Sequence, residues 1–274
     1  FYPRPANRKS VLELRSYRLT RLLKKATKHK KMATTQNLAT SALPNTKESR
    51  IKEAPVKAIE NKVDNRVVGP ETVTVFDWDD TLLPSSFLSS NGYRLDSDKA
   101  MSDDLKKQLQ QLESSVVGFI ELALGKGDKV YIITNAESGW VELSAQKFLP
   151  GVVPLLSRLE VISARSTYEE RFPESPLQWK YYAFQHNLAK AFTNDMKAKS
   201  VISFGDSHVE RHVVRAVAKS FHNSLAKSIK FAERPSLEQL RRQVELVTKC
   251  FQNIYCHEGD LDLMLTISIT QMEQ

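Results

Sequence analysis

Val73-Thr-Val-Phe-Asp77-Trp78-Asp79-Asp80-Thr81 is the stretch whose reading decides the fold. A β-branched and aromatic run over Thr72–Phe76 reads as a strand buried on both faces. It leads directly into three carboxylates. Charged groups cannot stay on the buried part of such a strand, so they are expected at its C-terminal end. Working outward, four more apolar runs follow at Val130–Ile133, Leu159–Ala164, Ser200–Phe204 and Ile229–Ala232. Helical patterns separate them. Ser102 caps one, with Asp103 and Asp104 in its first turn and a stripe through Leu105, Leu109, Leu112, Val116 and Ile120. Gly125 marks its stop. Others are expected over Gly139–Leu149, from Ser175-Pro176 towards Phe192, after Ser207, and over Ser236–Phe251. Alternating strands and helices predict an α/β fold with a parallel sheet. Near the end, Leu263, Leu265, Ile267 and Ile269 alternate with polar residues, the pattern of a half-buried edge strand.

In open α/β sheets ligands bind at the C-terminal ends of strands. Asp77 and Asp79 stand two apart and share a face if the strand direction persists. Such clustered negative charge calls for a hard, oxygen-seeking cation such as Mg²⁺. The second strand ends in Thr134-Asn135, a hydroxyl and an amide. The fourth ends in Gly205-Asp206-Ser207, with Glu210 soon after, and Asp206 is a third candidate metal ligand. The helix opening at Pro176 sets Lys180 about one turn inside its start.

These residues, in this order, resemble the haloacid-dehalogenase (HAD) superfamily of phosphohydrolases. Asp77-Trp-Asp79-Asp-Thr81 resembles its first motif, Thr134 its second, and Gly205-Asp206 with Glu210 its fourth. Lys180 is the best candidate for its third, with Lys147 and Lys190 as alternatives. The resemblance covers about residues 70–235. It implies a Rossmann-like three-layer sandwich around a mainly parallel five-stranded sheet. It also implies a Mg²⁺-dependent phosphatase. Asp77 would be the nucleophile and Asp79 the acid and base. Thr134, Asn135 and Lys180 would hold phosphoryl oxygens. Asp77, Asp79 through its backbone carbonyl, Asp206 and Glu210 would surround the metal. The gaps from Leu82 to Ser102 and from Asn135 to Lys180 leave no room for a full cap domain, so an open site is expected. A bulky substrate such as a phosphoprotein fits that expectation. Two other readings stand beside it: a phosphotransferase with the same site, and a catalytically silent interaction module tethered by its N-terminal segment.

Of 274 residues, 40 are Lys or Arg and 32 Asp or Glu, a net charge of +8. The charge is uneven. Residues 1–70 hold 17 basic and 5 acidic side chains, whereas residues 71–274 hold 23 and 27. The charge divides the chain into a basic extension over 1–70 and a domain over 71–274, which the resemblance implies is catalytic. Residues 1–32 carry 11 basic residues and one acid, and could contact RNA or an anionic membrane, or direct the chain to an organelle. Residues 33–70 read as a linker. No apolar run is long enough for a transmembrane span. Cys250 and Cys256 form neither a zinc set nor a disulfide framework. This fits a reducing compartment, and an intracellular, cytoplasmic location is expected. His208 and His212 lack a third zinc ligand and read as surface residues. Gly125-Lys-Gly127 precedes a strand, so it reads as a turn and not as a nucleotide loop.

Overall fold

The computed structural model describes residues 69–126 and 129–266. The basic segment 1–32, the linker up to residue 68, Gly127 and the expected strand positions Ile267 and Ile269 lie outside the described residues.

The chain begins with strand β1 (Glu71–Phe76), followed by the short helix α1 (Ser85–Ser90) and the long helix α2 (Asp103–Leu124). Strand β2 (Lys129–Thr134) leads to α3 (Trp140–Phe148), a 3₁₀ turn at Pro150–Val152 and α4 (Val153–Leu156). Strand β3 (Glu160–Ser163), α5 (Ala164–Tyr168) and α6 (Pro176–Ala191) come next. Then come β4 (Lys199–Gly205), α7 (His208–Ala218), β5 (Ser224–Lys230), α8 (Leu237–Tyr255) and β6 (Leu261–Met264). The six strands form one sheet in the order β3-β2-β1-β4-β5-β6, and every neighbouring pair is parallel. This is a Rossmann-like α/β arrangement. The expectation of five strands is corrected to six. The sixth, β6, binds in parallel to β5 through the register Ile229↔Leu263. Its Leu261 and Leu263 point inward, with Leu261 two residues ahead of the alternation read from the sequence.

The sheet is covered on both sides. Phe76, Ile132, Ile202, Phe204 and Leu263 face α2, α3 and α8. On that face Phe119 stands edge-on to Phe76 and Phe204 at centroid separations of 5.0 and 4.9 Å. Val73, Val75, Tyr131, Ile133 and Val201 face α6 and α7. The alternation in β1 explains this split: Val73 and Val75 enter one layer, Phe76 the other.

Local signals set the helix ends. The Ser102 side chain accepts from the Leu105 N–H. Ser207 and Ser236 form reciprocal capping boxes with Glu210 and Gln239. Ser175 makes no side-chain cap, so Pro176 alone favours the start of α6. No helix among the described residues is long and apolar enough to cross a membrane.

The strand order reverses between β1 and β4, which are neighbours although α1, α2 and two further strands separate them in sequence. A crevice outside the strand ends forms at such a reversal. Asp77 follows β1 and Asp206 follows β4, so the fold brings these two carboxylates together there.

Candidate active site

The register Phe76↔Phe204 puts the end of β1 beside the end of β4, and the Asp77 N–H donates to the Phe204 carbonyl at 2.8 Å. Asp77 is therefore held as an extension of the sheet. Asp77 is 6 % exposed. Lys180, from the second turn of α6, brings its Nζ to 2.9 Å from Asp77 Oδ1. Lys180 is itself buried and also pairs with Glu210 on α7. One ammonium thus sits between two carboxylates carried by different elements. Of the three candidate lysines, Lys180 is the one placed against Asp77. Lys147 instead donates to the carbonyls of Arg94, Leu95 and Ser97, and Lys190 lies in the last turn of α6.

Glu210 has both oxygens engaged. Oε1 meets Lys180, and Oε2 accepts from the backbone N–H of Ser207 at 3.0 Å and from its hydroxyl. Gly205 makes this packing possible. A Cβ there would lie 2.5 Å from Glu210 Cγ and 2.8 Å from Glu210 Cβ, so only hydrogen fits.

Asp79 lies across the turn after β1. Trp140 donates its indole N–H to Oδ1 at 3.0 Å, and Thr134 donates its hydroxyl to Oδ2 at 3.4 Å. The Ser85 side chain also favours the charged form of Asp79. Thr134 is buried at the end of β2, and its Oγ1 accepts from the Ala136 N–H at 2.9 Å. The turn itself is tight. The Trp78 carbonyl accepts from Leu82 and Leu83, and Asp80 adopts φ 51°, a left-handed conformation that Asp tolerates. Asp80 Oδ1 accepts from the Ser86 N–H at 3.0 Å, which ties the turn to α1.

Asn135 follows Thr134 at the end of β2, and its Oδ1 is buried without a hydrogen-bond partner among the described residues. Its Nδ2 donates to the Pro176 carbonyl at 3.2 Å and links the end of β2 to the start of α6. Trp78 is fully buried and donates to Ser144 Oγ at 2.9 Å, so it belongs to the core. Trp140, the donor to Asp79, belongs to none of the motifs read from the sequence. His208 and His212 are exposed on α7.

The electrostatics follow from burial and crowding. Burial raises the Asp77 carboxyl well above its usual range, Lys180 opposes that rise, and Glu210, Asp79 and Asp206 add to it. Burial likewise raises Asp79, while Ser85 and Trp140 pull it back. Asp206 is pushed up to about 7 by burial, with Glu210 and Asp80 adding repulsion. Burial works against charge on Lys180, but Asp77 and Glu210 outweigh it and hold the ammonium above the usual lysine range. Burial also opposes the Glu210 carboxylate, yet Lys180 and Ser207 keep it below its ordinary value.

Asp77, Asp206 and Glu210 each present a carboxylate oxygen within 4.8 Å of the others. Asp77 Oδ1 is buried and receives no aligned hydrogen bond beside its ion pair. An all-oxygen set with surplus negative charge fits a hard divalent cation. Lys180 pairs with Asp77 as well as Glu210, and Ser207 holds the second Glu210 oxygen, so an ion at this cluster would share Asp77 and Glu210 with Lys180.

No protein-family model, curated protein or solved structure matches this chain. The chemistry of these side chains therefore carries the functional reading.

Proposed function

We propose that the chain is a Mg²⁺-dependent phosphatase of the HAD type, hydrolysing phosphate monoesters through an aspartyl-phosphate. The observation that carries this reading is the gathering of Asp77, Asp79, Thr134, Lys180 and Asp206 at the strand ends beside the sheet's reversal point. A catalytically silent module has no need for buried, mutually repelling carboxylates, whose cost to folding calls for a use.

Asp77 and Asp206, with the Asp79 backbone carbonyl, would hold Mg²⁺, and Glu210 would act on the ion from outside through Lys180. When bound, Mg²⁺ supplies positive charge that offsets repulsion between Asp77 and an incoming phosphate. An Asp77 oxygen attacks phosphorus and the bond to the leaving oxygen breaks. Asp79, whose carboxyl burial raises above its usual range, gives that oxygen its proton. A water then attacks phosphorus and passes its proton to Asp79. The bond from phosphorus to Asp77 breaks, which releases inorganic phosphate and restores both carboxyl groups. Thr134 and Lys180 orient the phosphoryl oxygens. Trp140 is a positioning residue that fixes the Asp79 carboxyl.

The test is Mg²⁺-dependent hydrolysis of phenyl phosphate by the full chain. Turnover by the parent and background rates for Asp77→Asn, with an unchanged circular dichroism spectrum, are expected. Parent-level turnover by Asp77→Asn would refute the assignment.

A further inference from the structure

Beside Asp79 the chain forms a second feature that the phosphoryl chemistry does not use. A cavity of about 350 Å³ opens between α1, the loop that follows it, and α3. Leu83, Leu88, Tyr93, Leu95, Trp140 and Phe148 make most of its wall. Its size falls within the roughly 300–1,000 Å³ usual for small-molecule sites. One of its lining residues, Trp140, also hydrogen-bonds the Asp79 carboxyl, and another, Ser85, favours the charged form of that carboxyl. The cavity and the proposed proton donor thus share a wall.

We propose that this cavity receives the substrate's leaving group and selects aryl phosphate monoesters. The inference rests on the phosphatase reading above. The oxygen that Asp79 protonates must lie against the Asp79 carboxyl, so the organic group attached to it has to continue into the neighbouring space. Leucine and aromatic walls favour a flat apolar ring. A sugar or polyol would bring hydroxyl groups against walls that offer them few partners. The wall is already braced. Lys147 Nζ donates to the carbonyls of Arg94, Leu95 and Ser97 at 2.8, 3.1 and 2.8 Å. Lys99 Nζ donates to the Asn91 carbonyl at 2.7 Å and lies over the Tyr93 ring. A loop held in this way presents a shaped cavity without having to order on binding.

The experiment compares two inert probes on the full chain with Mg²⁺, benzylphosphonate and methylphosphonate, by titration calorimetry. Benzylphosphonate is expected to bind at least about tenfold more tightly, because only its ring occupies the apolar space. Ser89→Trp, at an exposed position on the wall, is expected to fill the cavity and weaken benzylphosphonate selectively. Tyr93→Ala, which removes an aromatic wall, is expected to narrow the preference from the other direction. Equal binding of the two probes by the parent, or a preference that survives both substitutions, overturns the inference. Hydrolysis of phenyl phosphate is measured alongside. Turnover without aryl preference overturns the cavity assignment alone, whereas absence of Mg²⁺-dependent turnover overturns the phosphatase reading. Comparing kcat/KM for a phosphotyrosine peptide and for phenyl phosphate then separates a protein-borne from a free aryl phosphate.

Discussion

Replacing Asp206 with Asn is expected to stabilise the metal-free chain at pH 8, although it removes a residue assigned to the site. Asp206 sits half-buried beside Glu210 and Asp80, and its pKa rises from 3.8 to about 7. A carboxyl whose folded pKa exceeds its unfolded value takes stability away as pH climbs between the two. The penalty is small near pH 4 and complete by pH 8. The gap between 3.8 and about 7, at ~1.4 kcal/mol for each factor of ten, sets an upper bound of ~4 kcal/mol. Partial exposure and solvent screening bring the expected gain down to ~2 kcal/mol. For a domain of this size that is a rise in Tm of ~4–8 °C. The assay is thermal unfolding in EDTA at pH 4.5 and pH 8, then again with Mg²⁺. Asp206→Asn should exceed the parent at pH 8 in EDTA and converge with it at pH 4.5. Added Mg²⁺ should raise the Tm of the parent at pH 8 and leave Asp206→Asn unmoved. If Asp206→Asn melts at or below the parent at pH 8 in EDTA, the reasoning about uncompensated charge fails.

Lys180→Met leaves Asp77 and Glu210 buried without their cation, and a loss of ~3–5 kcal/mol in denaturant unfolding is expected. Trp140→Phe removes a donor that favours the charged form of Asp79, so the carboxyl pKa rises. The alkaline limb of the pH–rate profile should move up by about one pH unit, the equivalent of one charge-assisted hydrogen bond. Gly205→Ala drives a methyl group into Glu210. Lower stability and a weakened Lys180 pair are expected, read as a lower Tm and a higher KM for phosphate esters.

The parts of the fold legible in the sequence were those where burial and composition agree. β1, β2 and β4 are apolar runs ending in polar residues, and their ends carry Asp77, Thr134 and Asp206. β5 was harder. The reading placed it at Ile229–Ala232, but the strand is Ser224–Lys230, whose Lys227 interrupts the apolar run. That lysine is buried because its Nζ donates to the Tyr255 carbonyl at 2.6 Å, a partner no local pattern reveals. β6 was blurred in the same way by Asp262, which accepts from Arg211 and Arg215 on α7. In the site, spacing alone suggested Lys180, but only the packing of α6 against α7 distinguishes it from Lys147 and Lys190. Asn135 followed the expected motif in sequence and yet spends its amide on Pro176. Trp140 carried no motif at all. Its bond to Asp79 spans 61 residues and exists only because α3 starts beside the turn after β1.

The central claim is that Asp77 is the group that takes the phosphoryl unit. A crystal structure of the full chain with Mg²⁺ and beryllium fluoride, a mimic of a phosphorylated carboxylate, tests it most directly. Beryllium bonded to an Asp77 oxygen, with Mg²⁺ bridging Asp77 and Asp206 and Lys180 turned to the fluorides, is the predicted result. Beryllium fluoride bonded to another residue, or a Mg²⁺-loaded site with Asp77 outside its coordination, would contradict the account.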